Sequence, residues 1–237
     1  MRRKAAPSGP TPGASVLDVR DVSKWYRDIE AVSHVSFAAA QGEFVSLLGP
    51  SGCGKTTTLR MIAGLETPSA GTISLEGRDV IGVPPFRRNT PMVWQSFALI
   101  PHLDVRANVE FGLKMRGVRA TERRRRALAM LETVGLLELS SRPVDQLSSG
   151  QKQRAGLARA LVMEPRLLLL DEPLAALDAN LRVRMQSELL RIQRQFNIAF
   201  LFVTHSQSEA LSMSDRIIVM NEGRVEQIDS PQMIYRR

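Results

Sequence analysis

Cysteine is almost absent: Cys53 is the single one in 237 residues. One thiol excludes an internal disulfide and suits a reducing compartment. Long apolar runs are missing too. Strongly apolar stretches such as Leu167-Leu168-Leu169-Leu170 and Ala199-Phe200-Leu201-Phe202-Val203 are strand-sized, far below the roughly 20 residues that cross a bilayer. The chain starts with the basic Met1-Arg2-Arg3-Lys4, but no apolar segment of a secretory leader follows. No internal repeat is visible. Acidic residues are outnumbered, 24 against 32 Lys and Arg, which leaves a net charge of +8. Phosphate binding accounts for part of that excess; an anionic membrane surface, nucleic acid or a merely solvated basic surface are open readings for the rest. Arg123-Arg124-Arg125-Arg126 has no aromatics interleaved, which favours a solvated helix face over a nucleic-acid patch. A hydrophobic content of 43% suits a globular chain of one large domain or two small ones.

What is present centres on Gly49-Pro50-Ser51-Gly52-Cys53-Gly54-Lys55-Thr56. It fits G-x-x-x-x-G-K-[ST], the phosphate-binding loop of nucleoside triphosphatases. The context agrees: Phe44–Leu48 reads as a buried strand before it, and Leu59, Ile62 and Ala63 follow at helical spacing, with Gly64 as the stop. Glycines let backbone N–H groups close around phosphate oxygens, and the helix adds about half a positive charge at its N-terminus. Lys55 is expected to reach the β- and γ-phosphates of ATP and the Thr56 hydroxyl to hold Mg²⁺, with Thr57 included among the nucleotide-contacting candidates. Cys53 lies in the loop near the helix N-terminus, where thiol pKa values fall. It is therefore expected to react with a maleimide unless ATP protects it.

Residues 1–15, rich in Pro, Gly, Ser and Ala, read as a disordered tail. Residues 16–22, 32–37 and 72–75 read as strands. From about Gln95 helices take over: 108–115, 121–134 with Thr121 as N-cap, and a third from about Ser148 to Met163. This insert, 96–162, is expected to form a separate helical subdomain between core segments 16–95 and 163–237. Strands then return at 167–170 and 199–203, with helices at 180–196 and 209–213 and a hairpin around Asn221-Glu222-Gly223. Alternating strands and helices imply an α/β fold with a mainly parallel sheet.

Asp171 and Glu172 stand at the carboxyl end of the 167–170 strand, where such sheets place ligands. Adjacent strand residues point to opposite sides. Asp171 is therefore expected to serve the metal and Glu172 to act as general base toward the attacking water.

Leu147-Ser148-Ser149-Gly150-Gln151, shortly before Asp171-Glu172-Pro173 and some ninety residues after the phosphate loop, resembles the signature of ATP-binding cassette (ABC) proteins. The resemblance covers about residues 16–237. It implies a P-loop NTPase (RecA-like) core, an N-terminal antiparallel β part and the inserted helical subdomain. It also implies roles for particular residues. Tyr26, or Trp25 beside it, matches the aromatic that stacks on adenine. Gln95 matches the glutamine that meets Mg²⁺ and water and hinges the helical lobe. Ser148, Gly150 and Gln151 match the residues that contact the γ-phosphate of ATP held by a second subunit. Asp178 matches the loop that crosses the dimer interface, and His205 the switch histidine. Two positions depart from the pattern: Ser149 replaces a glycine, and Ser206 stands where the family commonly has Asp.

Residues 93–103 resemble the region of importer ATPases that receives a short helix from a membrane subunit. The segments 185–189, 202–205, 210–216 and 234–235 are similar to the ATPase subunits of bacterial spermidine/putrescine importers, which usually continue into a β-rich regulatory domain. The resemblance implies an ATP hydrolase at the cytoplasmic face of the plasma membrane, peripheral to it. It would be a homodimer, or paired cassette, through ATP. Its partners would be transmembrane permease subunits and, indirectly, a solute-binding protein, with no nucleic acid. The solute is expected to be a polyamine, with iron(III), sulfate or sugar as alternatives; a soluble ABC ATPase acting on nucleic acid or ribosomes is the reading from another class.

Overall fold

The computed structural model describes residues 15–94, 96 and 98–236. The expected tail lies almost wholly outside the described residues; Ser15, its last residue, already begins a strand. Two long strands, β1 (Ser15–Tyr26) and β2 (Ile29–Ala40), pair antiparallel. With β4 (Ala70–Leu75) and β5 (Arg78–Asp79) they form a four-stranded sheet in the order β2-β1-β4-β5. The second sheet has six strands in the order β10-β9-β3-β8-β7-β6. These are β3 (Phe44–Leu48), β6 (Met92–Val93), β7 (Leu167–Asp171), β8 (Ala199–Thr204), β9 (Arg216–Asn221) and β10 (Arg224–Asp229). All neighbours are parallel except the β9–β10 hairpin.

The continuous apolar strands split their side chains between two cores, as the two-residue period requires. Leu168 and Leu170 of β7, with Phe200 and Phe202 of β8, join one buried cluster; Leu167, Leu169, Ala199, Leu201 and Val203 join the other. The second cluster also takes Leu59, Met61 and Ile62 of helix α1 (Lys55–Ala63) and the inner face of the antiparallel sheet. The first takes Met185, Leu189 and Ile192 of α6 (Ala179–Phe196). It also takes apolar residues of α3 (Val105–Met115), α4 (Ala120–Thr133) and α5 (Ser149–Leu161). The three inserted helices therefore share one contiguous core with the parallel sheet.

Helix ends follow local chemistry. Asp104, Ser148, Asp178 and Ser206 cap α3, α5, α6 and α7 (Gln207–Met213) by accepting a first-turn N–H. Thr121 is not a cap: α4 starts one residue earlier, with Arg119 at the capping position and no side-chain bond there. The short helix α2 (Pro85–Arg88) carries a buried arginine whose guanidinium reaches the carboxyl end of α1. A last helix, α8 (Pro231–Tyr235), follows β10. Among the described residues no helix is long and apolar enough to cross a membrane.

Candidate nucleotide site

The loop 49–54 links β3 to α1, and its tightness explains two glycines. A Cβ at Gly49 would stand 2.1 Å from the Met220 carbonyl oxygen. Gly54 has φ 94°, and a Cβ there would stand 2.6 Å from the Ala31 carbonyl oxygen. Larger residues would push the loop off β9 and β2. The same contact sets Ala31 of β2 beside the loop, and Tyr26 pairs with Ile29 two residues before it. Tyr26 and Trp25 are both exposed, with the Lys24 ammonium 4.9 Å from the Tyr26 ring centroid.

Lys55 is buried and its ammonium donates to the carbonyls of Gly49 (2.8 Å) and Pro50 (2.7 Å). The Thr56 hydroxyl donates to Asp171 Oδ1 at 3.0 Å, which joins α1 to the end of β7. Burial pushes the Asp171 carboxyl above its ordinary pKa, and the neighbouring Glu172 charge adds to this; the Thr56 hydrogen bond and the charges of Arg60 and Lys55 act against it. A hydroxyl and a carboxylate side by side are the hard oxygen donors that Mg²⁺ takes, usually with phosphate oxygens and water completing its shell.

Glu172 leaves the strand line. Its φ is 45°, a left-handed conformation that costs a non-glycine residue about 1–2 kcal/mol, and its N–H donates to Val203 at 3.1 Å. The turn separates the adjacent carboxylates: Asp171 meets Thr56, while Glu172 Oε2 lies 3.2 Å from His205 Nδ1 at the end of β8. Strand alternation alone anticipates the separation but not the left-handed turn.

Cys53 differs from expectation. Its side chain is buried and belongs to the core shared by α1 and the two sheets, with Sγ turned toward Gly49. Only its backbone is offered to a ligand: the Sγ accepts from the Lys55 ammonium at 3.8 Å, and its burial keeps a bulky reagent away from it. A first turn of helix leaves N–H groups without intrahelical acceptors, and α5 presents such a turn at the signature. Ser148 and Gln151 form a reciprocal capping box: the Ser148 N–H donates to Gln151 Oε1 at 2.9 Å, and the Gln151 N–H donates to Ser148 Oγ at 3.4 Å. Gly150 is buried against Leu181 of α6, and Ser149 is exposed. Asp178 Oδ1 accepts the Leu181 N–H at 2.9 Å. Ser206 accepts the Glu209 N–H at 3.4 Å, a capping duty that Asp would also fulfil. Gln95 lies outside the described residues.

The geometry thus brings Lys55, Thr56, Asp171, Glu172 and His205 to one end of the parallel sheet. Ser148, Gly150 and Gln151 stand on another element, α5, beside α6. Sequence reasoning missed Arg159 of α5, whose Nη1 donates to the Ala98 carbonyl at 2.5 Å and so ties the signature helix to the segment after β6. It also missed Glu209 and Arg182; neither has a local motif that could have announced it.

Known proteins resemble this chain in sequence and in fold. Residues 32–175 match the ABC transporter family. The spermidine/putrescine import ATP-binding protein PotA of Frankia alni is 61% identical over 227 residues, covering 94% of this chain and 49% of that protein. Its namesake in Pseudomonas aeruginosa is 52% identical over 220 residues, 93% of this chain and 61% of that protein. The chain thus spans about half to three fifths of the length of these curated relatives. Among solved structures, cbiO1 of Clostridium perfringens, part of the ABC transporter complex cbiONQ, superposes with a TM-score of 0.85 at 28% identity, over 95% of this chain and 92% of that one. The dimeric ATP-binding cassette MJ0796, bound to ADP and Pi, gives 0.79 at 31% identity, over 91% and 98%. Fold and sequence agree, and the chain belongs to the ABC transporter family of ATP-binding cassettes.

Proposed function

We propose that the chain is the ATP-hydrolysing part of a bacterial importer, and that it works as a head-to-tail dimer with two ATP molecules between the halves. The observation that carries this is the pairing of Thr56 with Asp171 and of Glu172 with His205, 3.0 and 3.2 Å apart, at the phosphate loop. Thr56 and Asp171 would hold Mg²⁺, which neutralises phosphate charge when bound. Lys55 exchanges its two carbonyl acceptors for phosphate oxygens. Glu172 accepts the proton of the attacking water, and His205 orients that carboxylate while facing the γ-phosphate. Ser148, Gly150 and Gln151 of a second chain bring the positive end of α5, shaped by its capping box, to the same phosphate, with Asp178 in the loop that crosses between the chains. Tyr26 stacks on adenine, and Gln95 would serve the metal and the attacking water.

The imported solute is a polyamine on the strength of the relatives' printed names, the permease subunits and solute-binding protein being separate chains. The protein then sits at the cytoplasmic face of the membrane. A cleft of about 290 Å³ lined by His102, Leu103, Phe111 and Lys114 adjoins the 93–103 segment and suits a permease helix. The test is MgATP turnover by the purified chain, with and without RNA or DNA. Turnover indifferent to nucleic acid and abolished by Lys55→Ala, in a variant that still folds, is expected. Full activity in Lys55→Ala would sink the site assignment, and strong stimulation by nucleic acid would point to the soluble class.

A further inference from the structure

Behind the Glu172–His205 pair lies a small hollow of about 60 Å³, lined by Glu172, Arg182, Thr204, His205 and Glu209 among others. Glu209, in the first turn of α7, is buried with 5% of its surface exposed. A carboxylate so enclosed needs partners, and Glu209 has two on different elements. The Thr204 hydroxyl donates to Oε2 at 2.6 Å, and the Arg182 Nε lies 3.7 Å from Oε1. Thr204 in turn accepts the Ser206 N–H at 3.0 Å. The residues on both sides of His205 are therefore fastened to each other and, through Thr204, to Glu209.

Arg182 carries the connection onward. It sits in the first turn of α6, and its Nη2 donates to the Leu177 carbonyl at 2.9 Å, while its own N–H donates to the Asp178 carbonyl, also at 2.9 Å. One side chain thus grips the 177–178 loop and faces Glu209. Its Nε is buried without a hydrogen-bond partner. At 3.7 Å the pair attracts but falls short of a hydrogen bond. A shift of well under an ångström in either element would close it.

We propose that Arg182 and Glu209 are positioning residues that link the 177–178 loop to the His205 turn, so that engagement of that loop by a second chain sets His205 and Glu172 for hydrolysis. The proposal rests on the dimer reading above. Neither residue touches the nucleotide. Their loss therefore leaves ATP binding intact and lowers the rate of the chemical step.

The test uses Glu209→Gln, Arg182→Gln, Arg182→Lys and the Glu209→Gln/Arg182→Gln double variant. Gln at 209 retains an acceptor for Thr204 and removes only the charge that faces Arg182. Steady-state kinetics should show kcat reduced roughly tenfold in Glu209→Gln and Arg182→Gln, with KM for ATP changed less than about twofold. The double variant should be no slower than the worse single one, because the two act as a unit. Arg182→Lys, which keeps the charge, should recover part of the loss. Placed in a Glu172→Gln background, Arg182→Gln should still give the ATP-dependent dimer. Unchanged kcat in both single variants, beside an active parent, would overturn the link while leaving the ATPase reading intact. Multiplying losses in the double variant would overturn it as well. An equal fall in ATP affinity and melting temperature, without the kcat split, would show mere structural damage and also count against it. A parent that hydrolyses no ATP would overturn the ATPase reading and this link with it.

Discussion

Single residues in the loop region show how burial decides what a functional group can do. Asp171 has a pKa raised by burial, so the folded chain binds its proton more tightly than the unfolded chain does. Its contribution to stability is present below the ordinary Asp pKa and is lost as pH rises through the raised folded value. Asp171→Asn keeps an acceptor for Thr56 and cannot ionise. Without nucleotide, thermal melts should show this variant at least as stable as the parent at neutral pH, with the parent's advantage, if any, confined to acid. ATP hydrolysis should be lost. A variant markedly less stable at neutral pH would mean that the carboxylate is net stabilising. Cys53 gives a second case. Position in the chain suggests a reactive thiol, yet the side chain is enclosed among α1 and two sheets. Maleimide should modify the native protein slowly whether or not MgATP is present, and rapidly after unfolding. Fast native labelling blocked by ATP would contradict the burial. Cys53→Ala should retain activity, since only the backbone serves the loop.

At the scale of elements, α1 depends on a residue that its own sequence does not contain. Arg88 of α2 donates to the carbonyls of Met61 (2.7 Å), Ile62 (3.0 Å) and Val83 (2.8 Å). Burial lowers its pKa from the ordinary arginine value, and the carboxyl end of the α1 dipole favours the cation there. Arg88→Met should leave buried carbonyls unpaired and cost about 1–3 kcal/mol, read as a lower denaturant midpoint. An unchanged midpoint would show that water replaces the guanidinium. Elements with a strong local pattern were legible in the sequence. The phosphate loop and α1, the all-apolar β7 and β8, and the β9–β10 hairpin follow from neighbours a few residues apart. The two-residue strands β5 and β6 and the four-residue α2 were not, since runs so short exist only because tertiary partners hold them. The sequence pattern starts α3 at Asn108, although Asp104 caps it; buried Asn108 instead bonds Ile100, Leu103 and Asp104 and anchors the incoming loop. Arg123, Arg125 and Arg126 look free in sequence, but each finds a carboxylate: Glu110, Glu122 and Glu164. In the candidate site, Asp171, Glu172 and His205 were legible from strand ends and family motifs. The Arg182–Glu209 contact was not, because nothing local brings two residues on different helices together.

For the whole molecule, the proposed chemistry needs a second copy. The phosphate loop and the signature occupy different elements of one chain, α1 and α5. Both offer helix N-terminal groups suited to the same anion. The MJ0796 cassette, of similar fold, is dimeric with ADP and Pi bound. Light scattering of Glu172→Gln with saturating ATP, at high protein concentration and low salt, tests this most directly. The substitution preserves shape and removes the base, so ATP should bind, hydrolysis should nearly stop, and dimer should accumulate. Adding Ser148→Arg, which puts bulk and charge where the second chain's phosphate is expected, should return it to monomer. A monomer with ATP demonstrably bound, or a dimer that persists without nucleotide, would contradict the account.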